Sequence, residues 1–130
     1  MKIISEKQTM PGPADWFTGE VKVTMLFGPI EPDGNAGAAE VTFQPGARTA
    51  WHTHPVGQTL IITAGKGWVQ VAGQEKHEVT VGDIVQFSPE EKHWHGATDT
   101  EAMTHIALQE AKDGKSVDWM EQVKNEEYQS

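Results

Sequence analysis

Turn-forming residues recur along this chain at intervals of about 8–12 residues, and they leave only short runs for regular structure. Thirteen glycines and seven prolines supply most of these turns. The runs between them are rich in β-branched residues, as strands are, and none has the length and periodicity of a long helix. We predict strands at residues 21–27, 38–44, 58–63, 67–71, 77–81, 83–87 and 103–109. A type II turn is predicted at Pro45-Gly46, and a further turn is predicted at Ala64-Gly65. The chain is therefore predicted to be all-β, folded as a closed barrel or a double-sheet jelly roll.

A length of 130 residues fits a single domain with a proper core. We expect that core at about residues 20–110 and a loop at Met10-Pro11-Gly12-Pro13 leading into it. The polar tail that begins at Lys112 is expected to hold an edge strand and then a short helix or a frayed end. Because a small barrel has sheet edges to cover, we expect a homodimer or homotetramer, with the two terminal arms at its interface.

The composition excludes several functional classes. Lysine and arginine total 10 while aspartate and glutamate total 19, so the formal charge is −9. A nucleic acid or an anionic membrane requires a basic surface and is not expected as a partner. With no cysteine, disulfides and thiolate metal sites are excluded. No apolar run approaches the ~20 residues of a membrane span, and no signal peptide is evident, so a cytoplasmic protein acting on a small molecule is expected.

Two histidines two residues apart, His52 and His54, form the strongest chemical signal in the chain, and Gln58 follows them with the same parity. In an extended strand these three side chains would point to one face. Imidazole nitrogens and an amide oxygen suit a divalent transition metal. The later run His93-Trp94-His95 repeats the spacing and offers a further ligand, whereas the alternating Trp51 and Trp94 should point away from the metal.

The spacing around these residues resembles that of the cupins. Their first motif is a glycine, five intervening residues, H-x-H, three or four further residues, a glutamate, six further residues and a second glycine. Here Gly46, His52, His54, Gln58 and Gly65 match every spacing, with glutamine in place of glutamate.

The second cupin motif is matched in part. Gly82 and His93 have the expected separation, while Pro89 falls one place late. Glu90 and Ala97 replace the expected glycine and asparagine. The resemblance implies a cupin barrel, also described as a double-stranded β-helix.

A closer resemblance, over nearly the whole chain, is to the manganese-dependent cupin hydroxynitrile lyases. It is carried by the segments GPADWFTG, PGARTAWHTHPVGQTL, FSPEEKHWHGA, AMTHIALQE and VDWMEQV. The resemblance implies one divalent metal per chain, with manganese expected first and iron, zinc, nickel or cobalt as alternatives. The implied metal ligands are His52, His54, Gln58 and His93. The implied activity is cleavage of an aromatic cyanohydrin to an aldehyde and HCN, and the reverse addition.

Two further histidines, His95 and His105, correspond to pocket residues of those lyases and are candidates for proton transfer. The substrate cavity is expected to be lined by Ala39, Val41, Phe43, Leu60, Ile62 and Gln109. His77 lies in a charged hairpin arm and is expected to be exposed.

Gln58 changes the expected chemistry, because three imidazoles and an amide leave a divalent site more positive than three imidazoles and a carboxylate. The more positive metal is a stronger Lewis acid and is harder to oxidise. Two alternatives stay open at this level: a metal-dependent cupin oxygenase acting on a small organic substrate, and a non-catalytic cupin that binds a small ligand.

Overall fold

The computed structural model describes residues 1–130, and its regular secondary structure is almost entirely β-strand. The elements are β1 Thr9–Pro11, β2 Phe17–Thr18, β3 Val21–Phe27, β4 Ala36–Phe43, β5 Arg48–Thr49, β6 His52–Thr53, β7 Gln58–Val71, β8 His77–Thr80, β9 Ile84–Phe87, β10 His93–Ala97, β11 Met103–Glu110, β12 Asp118–Trp119 and the helix α1 Asn125–Gln129. The all-β prediction is confirmed, and so are the edge strand and the short helix of the tail.

The strands form one curled sheet in the order β1-β3-β4-β11-β7-β10-β5-β2. The remaining strands pair at the side: β8 and β9 with β7, β6 with β10, and β12 with β6. Every pairing is antiparallel. Because each strand is pleated, inward and outward side chains alternate along it. The curled sheet encloses an interior into which the histidine strands β6 and β10 and the late strand β11 all face.

The two strands predicted at residues 58–63 and 67–71 are one strand, β7, and the turn predicted at Ala64-Gly65 is wrong. The first part of β7 pairs with β11 and β9, and the second part pairs with β10 and β8. Gly65 lies where β7 changes from the first pair of partner strands to the second, and it has a φ of +73°. A Cβ there would overlap the carbonyl oxygen of Ala102, so glycine allows a bend without a break in the strand.

The core consists of two clusters. The larger has 13 buried residues, including Phe43, Leu60 and Ile62, and fills the barrel. The smaller holds Trp51, Trp94, Val123 and Tyr128 on the other side of the sheet. Trp51 and Trp94 therefore point away from the interior, as predicted from their alternation with the histidines.

The C-terminal segment, residues 116–130, packs against its own barrel. Nη2 of Arg48 donates to the carbonyl of Val123 at 2.7 Å, and the Tyr128 hydroxyl donates to the carbonyl of Ala97 at 2.8 Å. The first eight residues lie outside regular secondary structure and are exposed. An interface between copies of the chain remains a prediction.

Candidate metal centre and its cavity

Backbone geometry around His52 and His54 differs from the predicted extended strand. Strand β6 ends at Thr53, and a turn closed by the bond from Gly57 N–H to the His54 carbonyl follows at 3.2 Å. Gly57 has a φ of +85°, which an extended residue does not adopt. Strand parity therefore does not align Gln58 with the histidines; the turn places it at the start of β7.

The cross-strand register brings the second histidine pair to the first. His93 of β10 is the direct partner of His52 of β6. Each of His52, His93 and His95 offers a ring nitrogen, and the three nitrogens lie within 4.8 Å of one another. All three residues are buried, so this group could hold a metal ion. It contains two predicted ligands, His52 and His93, and also His95, which is predicted to transfer protons.

Hydrogen bonds to backbone carbonyls fix the rings of three histidines. Nδ1 donates to Ala50 at 2.9 Å in His52, to Ser116 at 2.7 Å in His54 and to Glu91 at 2.8 Å in His93. A carbonyl oxygen only accepts, so Nδ1 carries the proton and the lone pair lies on Nε2. Metal-ligating histidines are oriented in this way. The buried Nε2 of His54 has no hydrogen-bond partner.

The amide of Gln58 is oriented toward the same point. Its Nε2 donates to Oε1 of Gln109 at 3.1 Å, which leaves its Oε1 at 3.3 Å from Nε2 of His93. Since Nδ1 of His93 already donates to a carbonyl, a neutral His93 presents a lone pair to this oxygen. Two acceptors that face each other favour a cation beside them.

Electrostatics keep these histidines neutral. Burial holds the pKa of His52 well below its usual value, and the neighbouring imidazoles of His93 and His54 lower it further. Burial also lowers the pKa of His54, and it lowers the pKa of His93 to about 3. Neutral imidazole is the metal-binding form, so the donor set fits a divalent transition metal.

His95 and His105 form a hydrogen-bonded pair beside this group. Nε2 of His105 lies 3.0 Å from Nδ1 of His95, and one proton can be shared between them. The outer nitrogens, Nε2 of His95 and Nδ1 of His105, are buried without partners. Burial lowers the pKa of His105 to about 4; burial and then the charge of His105 hold the pKa of His95 well below its usual value. The pair therefore stays uncharged near neutral pH.

A cavity of about 380 Å³ opens onto these groups. Its lining includes His52, His54, Gln58, His95 and His105. Of the predicted substrate-pocket residues, Ala39, Val41 and Gln109 line it.

Phe43, Leu60 and Ile62 do not line the cavity, contrary to expectation. They point inward as their strand parity requires, but they are almost completely buried and pack within the core cluster. The ring of Phe43 lies behind His105, with 5.3 Å between the ring centroids. The prediction used strand parity alone, which does not give the position of a residue along the barrel axis.

The prediction missed the cavity residues outside the motifs. Trp16 and Phe17 come from the N-terminal part of the chain, and Ser116, Val117 and Trp119 come from the tail. The apolar residues in the otherwise polar tail are the available signal, but the sequence alone also fits their packing at an interface between copies of the chain. His77 is exposed, as predicted.

A cupin domain model matches residues 39–108, more than half of the chain and the part that carries all the histidines discussed above. This chain belongs to the cupins.

This cupin is 59% identical to an (R)-mandelonitrile lyase of Granulicella tundricola, over 98% of this chain and 97% of that protein. A cupin-like protein of Thermotoga maritima has a solved structure with a TM-score of 0.89 and 39% identity, covering 98% of this cupin and 96% of that chain. A cupin 2 conserved barrel domain protein of Rhodopseudomonas palustris has a TM-score of 0.70 at 19% identity, covering 85% and 75%, and supports the fold alone. This cupin has one helix, of five residues, and it lacks the length and apolar character needed to cross a membrane.

Proposed function

We propose that this cupin is a metal-dependent hydroxynitrile lyase, which cleaves an aromatic cyanohydrin to an aldehyde and HCN and catalyses the reverse addition. The observation that carries the proposal is the 3.0 Å contact between His95 and His105 on the wall of an apolar cavity, beside the histidine group. The identity of 59% to a mandelonitrile lyase over nearly the full length supports it.

In this proposal His52, His54, Gln58 and His93 hold the metal. His54 is preferred to His95 because its Nδ1 is anchored by a backbone carbonyl, as in the other two histidines, whereas Nδ1 of His95 faces His105. When bound, the metal supplies Lewis-acid polarisation of the substrate oxygen. The preferred ion is manganese, with iron, zinc, nickel or cobalt as alternatives.

The reaction moves one proton and breaks one bond. The O–H proton of the cyanohydrin leaves, the oxygen electrons form the carbonyl, and the C–C electron pair leaves with cyanide, which is then protonated. A catalyst must therefore accept a proton at the hydroxyl and return one to cyanide.

The histidine pair can perform both transfers without becoming charged. Nδ1 of His105 accepts the hydroxyl proton, and the proton on its Nε2 passes over 3.0 Å to Nδ1 of His95. Nε2 of His95 then gives its proton to cyanide. Each ring gains one proton and loses one, which is consistent with the lowered pKa of both residues.

The test begins with the metal content of purified protein, followed by an assay of that metal form for benzaldehyde release from mandelonitrile. We expect release by the wild type, and a decrease of about 10²–10⁴-fold in His105→Gln and His95→Gln at unchanged metal content. His77 is exposed and does not line the cavity, so His77→Gln is the control. Full metal occupancy without benzaldehyde release would overturn the proposal.

The same samples separate the two alternatives. An oxygenase would consume oxygen when loaded with iron and would not act on mandelonitrile. A non-catalytic binding protein would be stabilised by a ligand without any turnover.

A further inference from the structure

Two tryptophans that are distant in the sequence form one wall of the cavity. Trp16 and Trp119 stack with 5.4 Å between their ring centroids and 9° between their planes. Both line the cavity, and Trp16 remains 41% exposed at its mouth. A large aromatic side chain left partly in water beside a cavity offers an apolar surface to a ligand.

The position of Trp119 is fixed by the fold. Trp119 of β12 is the cross-strand partner of His52 of β6, and the centroids of their two rings lie 4.6 Å apart. Next to this pair, Trp51 N–H donates to the Glu121 carbonyl at 2.9 Å, and Met120 N–H donates to the Trp51 carbonyl at 2.8 Å. The indole is thus held beside a predicted metal ligand.

The loop that carries Trp16 is hydrogen-bonded to the same C-terminal segment that carries Trp119. Nε2 of Gln122 donates to the carbonyls of Ala14 and Asp15 at 2.9 Å each, and the Thr18 hydroxyl donates to Oε1 of Gln122 at 3.1 Å. One amide therefore connects the tail to the loop that carries Trp16. The two indoles form a preorganised surface, which costs little to order when a ligand binds.

The rest of the cavity defines the shape and polarity of its occupant. The other apolar lining is mostly aliphatic and includes Val23, Met25, Ala39, Val41 and Ala107. Most of the polar side chains, His52, His54, Gln58, His95 and His105, gather at the metal end. The occupant that fits has a flat apolar body and an oxygen at one end.

We propose that Trp119, supported by Trp16, determines the substrate specificity of this cupin, by packing its indole against the planar ring of an aromatic carbonyl or hydroxyl compound whose oxygen faces the histidines. The inference rests on the proposed function and assigns the residues that recognise the aromatic ring of its substrate. Stacking between aromatic rings adds about 2- to 12-fold in affinity beyond the effect of buried area.

The first test measures equilibrium binding of two probes that do not react, benzyl alcohol and cyclohexylmethanol, to the metal-loaded protein by calorimetry. The probes differ mainly in the planarity of the ring. We expect the wild type to prefer benzyl alcohol by about 2- to 12-fold. Trp119→Leu should abolish that preference, Trp119→Phe should keep most of it, and Trp16→Leu should reduce it.

Trp68→Leu is the matched control, because Trp68 is half-buried but packs outside the cavity against Tyr128. It should leave the preference unchanged. Equal loss of both probes in Trp119→Leu, or an unchanged preference in both Trp119→Leu and Trp16→Leu, would overturn the inference.

The second test measures turnover of mandelonitrile and of an aliphatic cyanohydrin. Trp119→Leu should raise KM for mandelonitrile about 2- to 12-fold, with kcat and metal content nearly unchanged and little effect on the aliphatic substrate. An equal change of KM for both substrates would contradict the inference. If the wild type binds benzyl alcohol preferentially but turns over neither cyanohydrin, the proposed lyase function fails while recognition of the ring stands.

Discussion

Nδ1 of His54 donates a hydrogen bond of 2.7 Å to the carbonyl oxygen of Ser116, although 62 positions separate the two residues. The tail thus holds a predicted metal ligand in the tautomer that leaves Nε2 free. The same tail supplies Val117 and Trp119 to the cavity wall. The C-terminal segment is therefore part of the candidate site as well as part of the barrel surface.

The choice between His54 and His95 as metal ligand can be decided by metal content. We expect His54→Ala to lower the metal bound per chain to a small fraction, because a buried donor is lost. His95→Ala should retain metal while losing turnover, because it removes a proton-transfer group only. Elemental analysis after gel filtration measures both, with His77→Ala as control, and loss of metal in His95→Ala but not in His54→Ala would reverse the assignment.

Anchoring of the tail should contribute measurably to stability. The Tyr128 hydroxyl donates a buried hydrogen bond to the Ala97 carbonyl, and Tyr128→Phe removes the donor but keeps the ring. We expect the free energy of unfolding to fall by about 1–3 kcal/mol, since a buried acceptor is left unsatisfied. Urea denaturation measures the change. Thr9→Val, which breaks the exposed contact between Thr9 and Thr24, should stay within about 0.5 kcal/mol of the wild type.

The neutral histidines predict a loss of stability in acid. Burial lowers the pKa of His93 to about 3 and of His105 to about 4, from 6.5. Below 6.5 the unfolded chain takes up protons that the folded chain does not, so the stabilisation is complete above pH 6.5 and is lost as pH falls toward the folded pKa. Each such histidine lowers the free energy of unfolding by about 1.4 kcal/mol per pH unit once titrated in the unfolded state.

Urea denaturation of the metal-free protein between pH 7 and pH 5 measures this slope. His105→Gln should reduce it by about 1.4 kcal/mol per pH unit at the acid end, because one proton no longer binds on unfolding. An unchanged slope in His105→Gln would show that His105 does not stay neutral in the fold.

Two glycines with similar backbone angles should respond differently to alanine. Gly65 and Gly73 have φ values of +73° and +82°, but only at Gly65 would a Cβ meet other atoms, those of Ala102 and Met103. We expect Gly65→Ala to lower the free energy of unfolding by about 2–5 kcal/mol, from backbone strain and overlap together. Gly73→Ala should cost only about 1–2 kcal/mol from strain. Thermal or urea unfolding compares the two variants. Equal losses of stability would contradict the close approach of Ala102 to Gly65.

Much of the fold could be predicted because strand formation is a local property. The predicted strands coincide with β3, β4, β8, β9 and β11, and every predicted end lies within two residues of the observed end. Gly46 also has the positive φ, +84°, that a type II turn after β4 requires. The error at Gly65 has a physical cause, since a glycine with positive φ serves a bend within a strand as well as a turn between strands.

The sequence by itself determined the all-β class, the cupin family and the group of residues from which a metal centre would be built, because these depend on residue type and short-range spacing. Tertiary structure decided how those residues are used. Pairing of β6 with β10 brings His93 and His95 to His52, and the turn at Gly57 replaces the strand parity expected for Gln58. The contact of Ser116 with His54 and the stack of Trp16 on Trp119 join residues far apart in the chain. Such contacts depend on the register and curvature of the whole sheet, which no local pattern specifies.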